Sequence, residues 1–504
     1  MPCTTILVGK KATYDGSTII ARNDDSPSTG FTPQCMSVVE PDKQPATYKS
    51  VLSHVQVDLS DLTPLRYTCV PNALDNEGVW AASGINEFDV AMTACETIVN
   101  NPRVLGADPL VELRPAKGKP GEEGYEPEVP GGIGEEDLIT IVLPYIRSAR
   151  EGVLRLGSLL EEYGTYEMNG VAFSDLDEIW WLETLGGHHW IARRVPDDSY
   201  VTIPNQLGID SFDLSDAEGD QRDYLCSKDL RKWMKTHHLN LTIPDTIARS
   251  DVFNPRQAFG TASDADHIYN TPRAWVIQRH LNPTTSVWDG PQADYTPESD
   301  NIPWARKPER LLTVEDVKCA LSLHYQGTPY DCYDNKGTEA SRNSYRPVGV
   351  NRTDDLSVLQ LRPYAPEGCR GIHWICFGSN VFNALVALYA GVRKMPEYLA
   401  KTGENVSTDS FYWANRLVAA LCDPHFNTCI MHVERYQDAV ATLGHAMMAE
   451  TDAKAQDADD VTELLEAANE QMASDVRRET DKLLADVLNT SSLQMKNAFA
   501  RSDR

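Results

Sequence analysis

Two short apolar runs at the start of the chain constrain its fold more than any other feature. Thr4 to Val8 and Ser17 to Arg22 are rich in β-branched residues, and the stretch between them contains Asp15-Gly16. This pattern predicts an antiparallel hairpin, with Asp-Gly supplying residues that tolerate positive φ. Pairing Gly9 with Gly16 makes Lys10 to Asp15 the loop and sets Cys3 opposite Arg22. Directly opposed residues lie roughly 4.5 to 5.5 Å apart, so a thiol and a guanidinium would meet at the open end.

A cysteine this near the start becomes the terminal residue after a short trim. It then carries a nucleophile and a base together. The thiol attacks, and the α-amine, with a pKa of roughly 7.7 to 8, handles the proton. A guanidinium alongside would lower the thiol pKa and hold a carboxylate or an oxyanion. On spacing alone a plainer alternative stays open: Cys3 as a small apolar residue at a strand start, and Arg22 as a surface charge. The chain begins Met1-Pro2-Cys3, so a terminal cysteine requires the loss of both preceding residues. Either Cys3 attacks the Pro2 carbonyl and releases them as a dipeptide, or a separate peptidase removes Pro2.

The bulk numbers exclude several classes. A formal net charge of -28 repels phosphate backbones, so neither nucleic acid nor an anionic membrane is an expected partner. No basic, apolar and small-residue leader opens the chain, and no apolar run is long enough to cross a bilayer. The 11 cysteines are an odd number without a paired framework, which predicts reduced thiols and a cytoplasmic location. The 504 residues allow two to four domains, or one large sandwich with insertions.

Along the chain, strands are predicted at 67–70, 79–83, 90–94, 170–174, 179–185, 189–195 and 200–203, and later at 358–362, 371–378 and 385–388. Residues 105–134 are rich in Pro, Gly and Glu and read as a surface loop near a site entrance. Glu135-Glu136-Asp137 then suits the first turn of a helix. Further helices are predicted at 153–163, 227–237, 271–280 and 314–323, and from about Thr408 the pattern is helical to the end. Val461, Leu464, Leu465, Ala468, Met472 and Val476 recur at helical spacing and predict a tail packed on the core or on a neighbouring subunit. Strands and helices in blocks argue for antiparallel sheets covered by helices, and no Gly-rich nucleotide loop is present.

Other candidates carry less. His188-His189 and His237-His238 are adjacent pairs, which in a strand point to opposite faces and chelate poorly. No zinc-binding spacing accompanies them, so neither a metal nor another cofactor is expected. Cys369, Cys376 and Trp180-Trp181 read as core. Cys95, beside Glu96, reads as core at the edge of a pocket. Ser379 lies in no nucleophile elbow.

The opening CTTILVGKKATYDGSTIIARNDDS resembles the start of the cysteine dipeptidases related to dipeptidase A and to secernin. These belong to the N-terminal nucleophile (Ntn) hydrolases, with bile-salt hydrolase and penicillin V acylase as distant relatives. GINEFDVAMTACETI, EIWWLETLGGHHWIARRVPDDSYVTIPNQL, YNTPRAWVIQ and SVLQLRPYAPEGCRGIHWICFG extend the resemblance across most of the chain. It implies an α+β fold, a four-layer αββα sandwich of antiparallel sheets over residues 1–450, with a helical extension at 451–504. It implies Cys3 as nucleophile, Arg22 and Asp25 as the charged element ending the second strand, Asn205 in the oxyanion hole, Arg273 in support and Glu96 in the substrate pocket. Asp25 would orient the Cys3 ammonium. The implied substrates are small dipeptides whose two charged ends are held by groups of opposite sign, and the implied assembly is a homo-oligomer. Two other readings stay open: an amidase acting on N-acyl amino acids or bile-salt conjugates, and a non-catalytic, secernin-like regulatory protein.

Overall fold

The hairpin forms as strands β1 (Cys3–Val8) and β2 (Thr18–Asp25), both buried along their whole length. The computed structural model describes the chain apart from residues 1–2, 28–29, 75–76, 243–250, 335, 457, 459 and 498–504, and apart from the Cys95 side chain. The register differs from the expected one by two residues: Cys3 lies opposite Asp24, and Arg22 lies opposite Thr5. The connection is longer because distant backbone anchors it. Gly9 N–H donates to the Ser199 carbonyl, Lys11 N–H to that of Asp197 and Tyr14 N–H to that of Leu312. Asp15 accepts from both the amide and the hydroxyl of Ser17, and Gly16 takes a φ of 81°. A slip of two residues keeps every side chain on its face, because strand side chains alternate with period two.

β1 and β2 sit at the centre of a seven-stranded antiparallel sheet. Its order is Ala305–Arg306, Tyr200–Ile203, β1, β2, Thr353–Leu361, Gly371–Phe377 and Val386–Tyr389. A second, eight-stranded sheet runs Tyr224–Cys226, His189–Arg194, Ile179–Leu185, Asn169–Ser174, Ala91–Thr97, Ser83–Asn86, Tyr67–Cys69 and Ser37–Val39. Central strands buried on both faces need apolar residues at successive positions, and the ILV and II runs of β1 and β2 supply them. Leu7 and Ile20 pack against Ile85, Ala91 and Trp181 of the second sheet. Ile6, Val8, Ile19 and Ala21 face the other way, onto Trp275, Ile277, Val314 and Val317 of the Thr271–Leu281 and Val314–Leu321 helices. The second sheet turns Val171, Phe173, Trp180 and Leu182 toward Val153, Leu156 and Leu160 of the Ala149–Tyr163 helix.

The C-terminal region is helical: Phe411–Cys422, Phe426–Ala455 and Thr462–Leu493. Leu465, Met472 and Val476 are buried, as their spacing predicts. Asn469 donates to the Tyr389 carbonyl and accepts from its amide, so the last helix satisfies the exposed edge of the first sheet. Among the described residues no helix is long and apolar enough to cross a membrane.

The stretch read as a surface loop begins with a short helix, Pro102–Ala107, and is stitched by bridges between Arg114 and Val129 and between Lys117 and Glu126. The helix after it starts at Leu138, three residues later than expected. Glu135, Glu136 and Asp137 are buried, not solvated first-turn acids. Glu136 accepts from the amides of Val51 and Leu52 and the hydroxyl of Ser50, and Asp137 accepts from Gly134 N–H and the Tyr48 hydroxyl.

Gly9 tests the hairpin anchor. A Cβ there would lie 2.5 Å from the carbonyl oxygens of Pro196 and Asp197. Gly9→Ala is expected to destabilise the protein by roughly 1–3 kcal/mol through backbone displacement. Chemical denaturation measures it, and an unchanged midpoint would contradict the packing described.

Candidate active site

Cys3 and Arg22 do meet, one rung apart on the same face. Arg22 Nη2 stands 3.0 Å from Cys3 Sγ, 2.9 Å from Asp24 Oδ1 and 2.6 Å from Glu135 Oε1. Its Nη1 donates to the carbonyls of Ala82 (3.2 Å) and Ala94, both of the second sheet's side. A β-bulge between Thr93 and Glu96 interrupts the ladder there and turns the Ala94 carbonyl toward the guanidinium. Arg22 is only 2% exposed, so the surface-charge alternative is ruled out.

The backbone of Cys3 is held from the opposite side. Its N–H donates to Asn205 Oδ1 at 3.2 Å, and its carbonyl accepts from Arg273. Asn205 arrives by register: Ile203 pairs with Thr5, so two residues on, Asn205 falls beside Cys3. Arg273, on the Thr271–Leu281 helix, also donates to Asn205 Oδ1 (2.7 Å), Thr4 Oγ1 (2.7 Å) and Asn270 Oδ1 (2.9 Å). Since a guanidinium only donates, these contacts fix which way the Asn205 amide points, and its Nδ2 donates to the Thr97 carbonyl at 2.9 Å.

Glu96 lies at the same floor. Its Oε2 accepts from Thr5 Oγ1 at 2.9 Å, and its Oε1 is buried without a hydrogen-bond partner. Burial pushes its carboxyl up to about 8, against the pull of Arg273 and Arg22. The Cys3 thiol departs from expectation. Burial raises it well above the usual thiol value; Arg22 pulls it down, but Glu96, Asp24 and Glu135 add to the rise. In this closed site desolvation outweighs one guanidinium, so the resting group is a thiol. Its sulfur points at Asp24 Oδ1, 3.8 Å away.

Asp25 is not brought to the thiol. Alternation turns it to the far face of β2, where it accepts from Arg346 and, at 2.6 Å, from Thr353 Oγ1. It connects to the site through Arg346, which stacks with Arg273 on the Tyr269 ring. Asp24 holds the near position, and the parity of the strand was the signal for it: residues 22 and 24 share a face. Sequence reading also missed Gln34, which donates to Asp24 Oδ2 at 2.8 Å, and Asp355, which lies opposite Asp24 in the next strand. Glu135 and Glu167 were missed too; Glu167 Oε2 accepts from Glu135 N–H at 3.1 Å. No local signal distinguishes these last two from surface acids.

Cys3, Asp24 and Glu135 place possible ligand atoms within 4.8 Å of one another. Arg22 donates to all three, so a metal ion would have to displace a cation already held there. His324, Asp331 and Cys332 form a second such group, in which Asp331 already accepts from His324 at 2.8 Å. The Met1-Pro2 segment lies outside the described residues.

A thiol thus sits beside a fixed guanidinium, with its backbone clamped by an asparagine and an arginine. The family described as "Peptidase family C69" matches residues 2–439, and the chain belongs to that family. It is 54% identical to the dipeptidase of Bifidobacterium longum (strain NCC 2705), over 100% of both chains. It is 42% identical to the probable dipeptidase B of Lactococcus lactis subsp. lactis (strain IL1403), over 99% of this chain and 98% of that one. Identity to dipeptidase A of Lactobacillus helveticus is 40%, over 96% of each.

Glu96 gives a pH test. Its folded value of about 8 exceeds the ordinary 4.5, so between the two the folded chain holds a proton that the unfolded chain has lost. The resulting stability is complete below the lower value and is lost as pH rises through the upper one. Glu96→Gln should therefore lose less stability than wild type between about pH 5 and pH 8.5. Denaturation midpoints across that range measure the difference, and parallel curves would contradict the assignment.

Proposed function

We infer that the protein is a dipeptidase in which Cys3, as terminal residue, is the nucleophile. The observation that carries this reading is the Arg22 guanidinium 3.0 Å from the Cys3 sulfur, while Asn205 and Arg273 hold the Cys3 backbone. Sγ attacks the peptide carbonyl, and the freed α-amine takes the thiol proton and passes it to the leaving amine. An acyl-cysteine thioester remains, which water then cleaves. The Asn205 amide supplies a donor to the oxyanion, Arg22 stabilises developing charge on sulfur, and Arg273 keeps Asn205 in place. Asp25 acts at a distance, by holding Arg346 against Tyr269.

The two large antiparallel sheets, each with helices against its outer side, support the four-layer Ntn sandwich. The residues beyond 450 serve as a brace on the sheet edge through Asn469. The ten described cysteines form no disulfide, which supports a reducing cytoplasm. Exposed Met431, Leu488, Leu493 and Met495 support self-association, which a native mass measures. The names of the relatives favour dipeptides over non-peptide amides, and a panel of dipeptides against N-acyl amino acids separates the two. The assembled site speaks against a purely regulatory protein.

Mass spectrometry of the active enzyme should find Cys3 first in the chain. Cys3→Ala should abolish dipeptide hydrolysis and retain Pro2; full activity in that variant, or in wild type with Pro2 still attached, would overturn the mechanism. Asn205→Ala should lower kcat by on the order of 100-fold, as expected for loss of one oxyanion donor.

A further inference from the structure

A cavity of about 290 Å³ lies between the Val314–Leu321 and Phe426–Ala455 helices, on the outer side of the first sheet. Cys3, Thr5 and Leu7 share the face of β1 that looks toward the second sheet, where Leu7 packs. Ile6 and Val8 look outward, onto Val314 and Val317, so the cavity and the thiol are on opposite sides of the sheet. The volume falls at the small end of ligand sites, which span roughly 300 to 1,000 Å³. Trp374, Val381, Leu385 and Ile430 give the cavity an apolar wall.

Lys318 lines this cavity and is half-buried. Among the described residues no carboxylate lies within ion-pairing distance of it. Burial lowers its ammonium below the usual lysine value, and the groups acting in the other direction are the thiols of Cys376 and Cys319. Burial raises both thiols, Cys376 to about 12, so they stay neutral and supply no counter-charge. An ammonium held out of water without an anion is costly, and an anion entering the cavity would offset that.

The Phe426–Ala455 helix contributes the opposite sign. Glu434 and Asp438 both line the cavity, four residues apart, and like charges at that spacing repel. Among the described residues neither has a cation within ion-pairing distance. The remaining charged groups of the lining are already paired, Glu315 with His445 at 2.6 Å and His324 with Asp331 at 2.8 Å.

We propose that this cavity binds a free α-amino acid with an apolar or aromatic side chain. The carboxylate meets Lys318, the ammonium faces Glu434 and Asp438, and the side chain rests on Trp374, Leu385 and Ile430. A simple carboxylic acid would satisfy Lys318 but would leave the two acids repelling each other and the ligand. A simple amine would leave Lys318 without an anion. A zwitterion answers both charged walls, and the apolar wall selects its side chain. The site stands independently of the dipeptidase reading. Where dipeptides are cleaved, the amino acids released belong to this ligand class.

Isothermal titration calorimetry on the full chain tests the proposal with three probes. L-phenylalanine keeps both charges, 3-phenylpropionate only the carboxylate, and phenethylamine only the ammonium. L-phenylalanine should bind with a Kd of about 1 mM or tighter. Phenethylamine should bind at least about 10-fold more weakly, as expected for loss of a charge-assisted hydrogen bond, and 3-phenylpropionate should also bind more weakly. Lys318→Met should weaken L-phenylalanine at least about 10-fold and leave dipeptide hydrolysis unchanged. Because it removes an unpaired charge, its denaturation midpoint should not fall. Ala441→Phe, a second variant, puts a ring into the cavity and should abolish binding. Undiminished binding to Lys318→Met or to Ala441→Phe would put the ligand elsewhere, the active site included, and overturn the proposal. So would absence of L-phenylalanine binding to wild type, or binding of either single-charge probe as tightly as L-phenylalanine. Failure of wild type to cleave dipeptides would remove the dipeptidase reading and leave this site standing.

Discussion

A buried guanidinium must have every nearby acceptor it can reach, because leaving it unpaired costs several kcal/mol. Arg22 satisfies this demand from both sheets. Cys3 and Asp24 belong to the first, the Ala82 and Ala94 carbonyls come from the second, and Glu135 comes from the segment that precedes a helix. One side chain thus ties Cys3 to the spacing between the sheets. The bulge in the Ala91–Thr97 strand belongs to the same bargain, since it turns a carbonyl toward the cation.

This dependence explains what could be read in the sequence. Central strands of both sheets are buried on both faces, and Tyr200–Ile203 of the first sheet and Ile179–Leu185 of the second emerge at their predicted bounds. The hairpin register does not follow from its own residues. Its loop is anchored by Asp197, Ser199 and Leu312, far away in the chain, and the pairing slips by two. Because that slip is even, Arg22 still faces the thiol. Asp25 was misplaced for the same reason: alternation puts Asp24 beside Arg22 and Asp25 behind it. Glu135 and Glu167 meet only through tertiary packing, and neither carries a local pattern that sets it apart from the other acids of a chain with net charge -28.

The electrostatics of the site follow from its dryness more than from its charges. Glu96 titrates near 8 although two arginines act on it, and burial holds His373 down to about 3, so that ring is neutral. His373 contacts Ser357 at 3.1 Å, and Ser357 in turn donates to Asp355, which extends the polar network inward from Asp24 along the neighbouring strands. The same desolvation keeps Cys3 protonated. In the proposed mechanism the proton would therefore leave as sulfur attacks.

That requirement gives meaning to the way Cys3 is held. Its side chain belongs to the Arg22–Asp24 wall, and its backbone nitrogen belongs to the Asn205–Arg273 wall. The two attachments are independent, so the nitrogen is already fixed near the sulfur whatever bond it carries on its other side. In the proposed mechanism that nitrogen is the base once the preceding residues are lost. The pairing of β1 with Tyr200–Ile203 on one side and with β2 on the other is what makes both walls available to a single residue at the end of a strand.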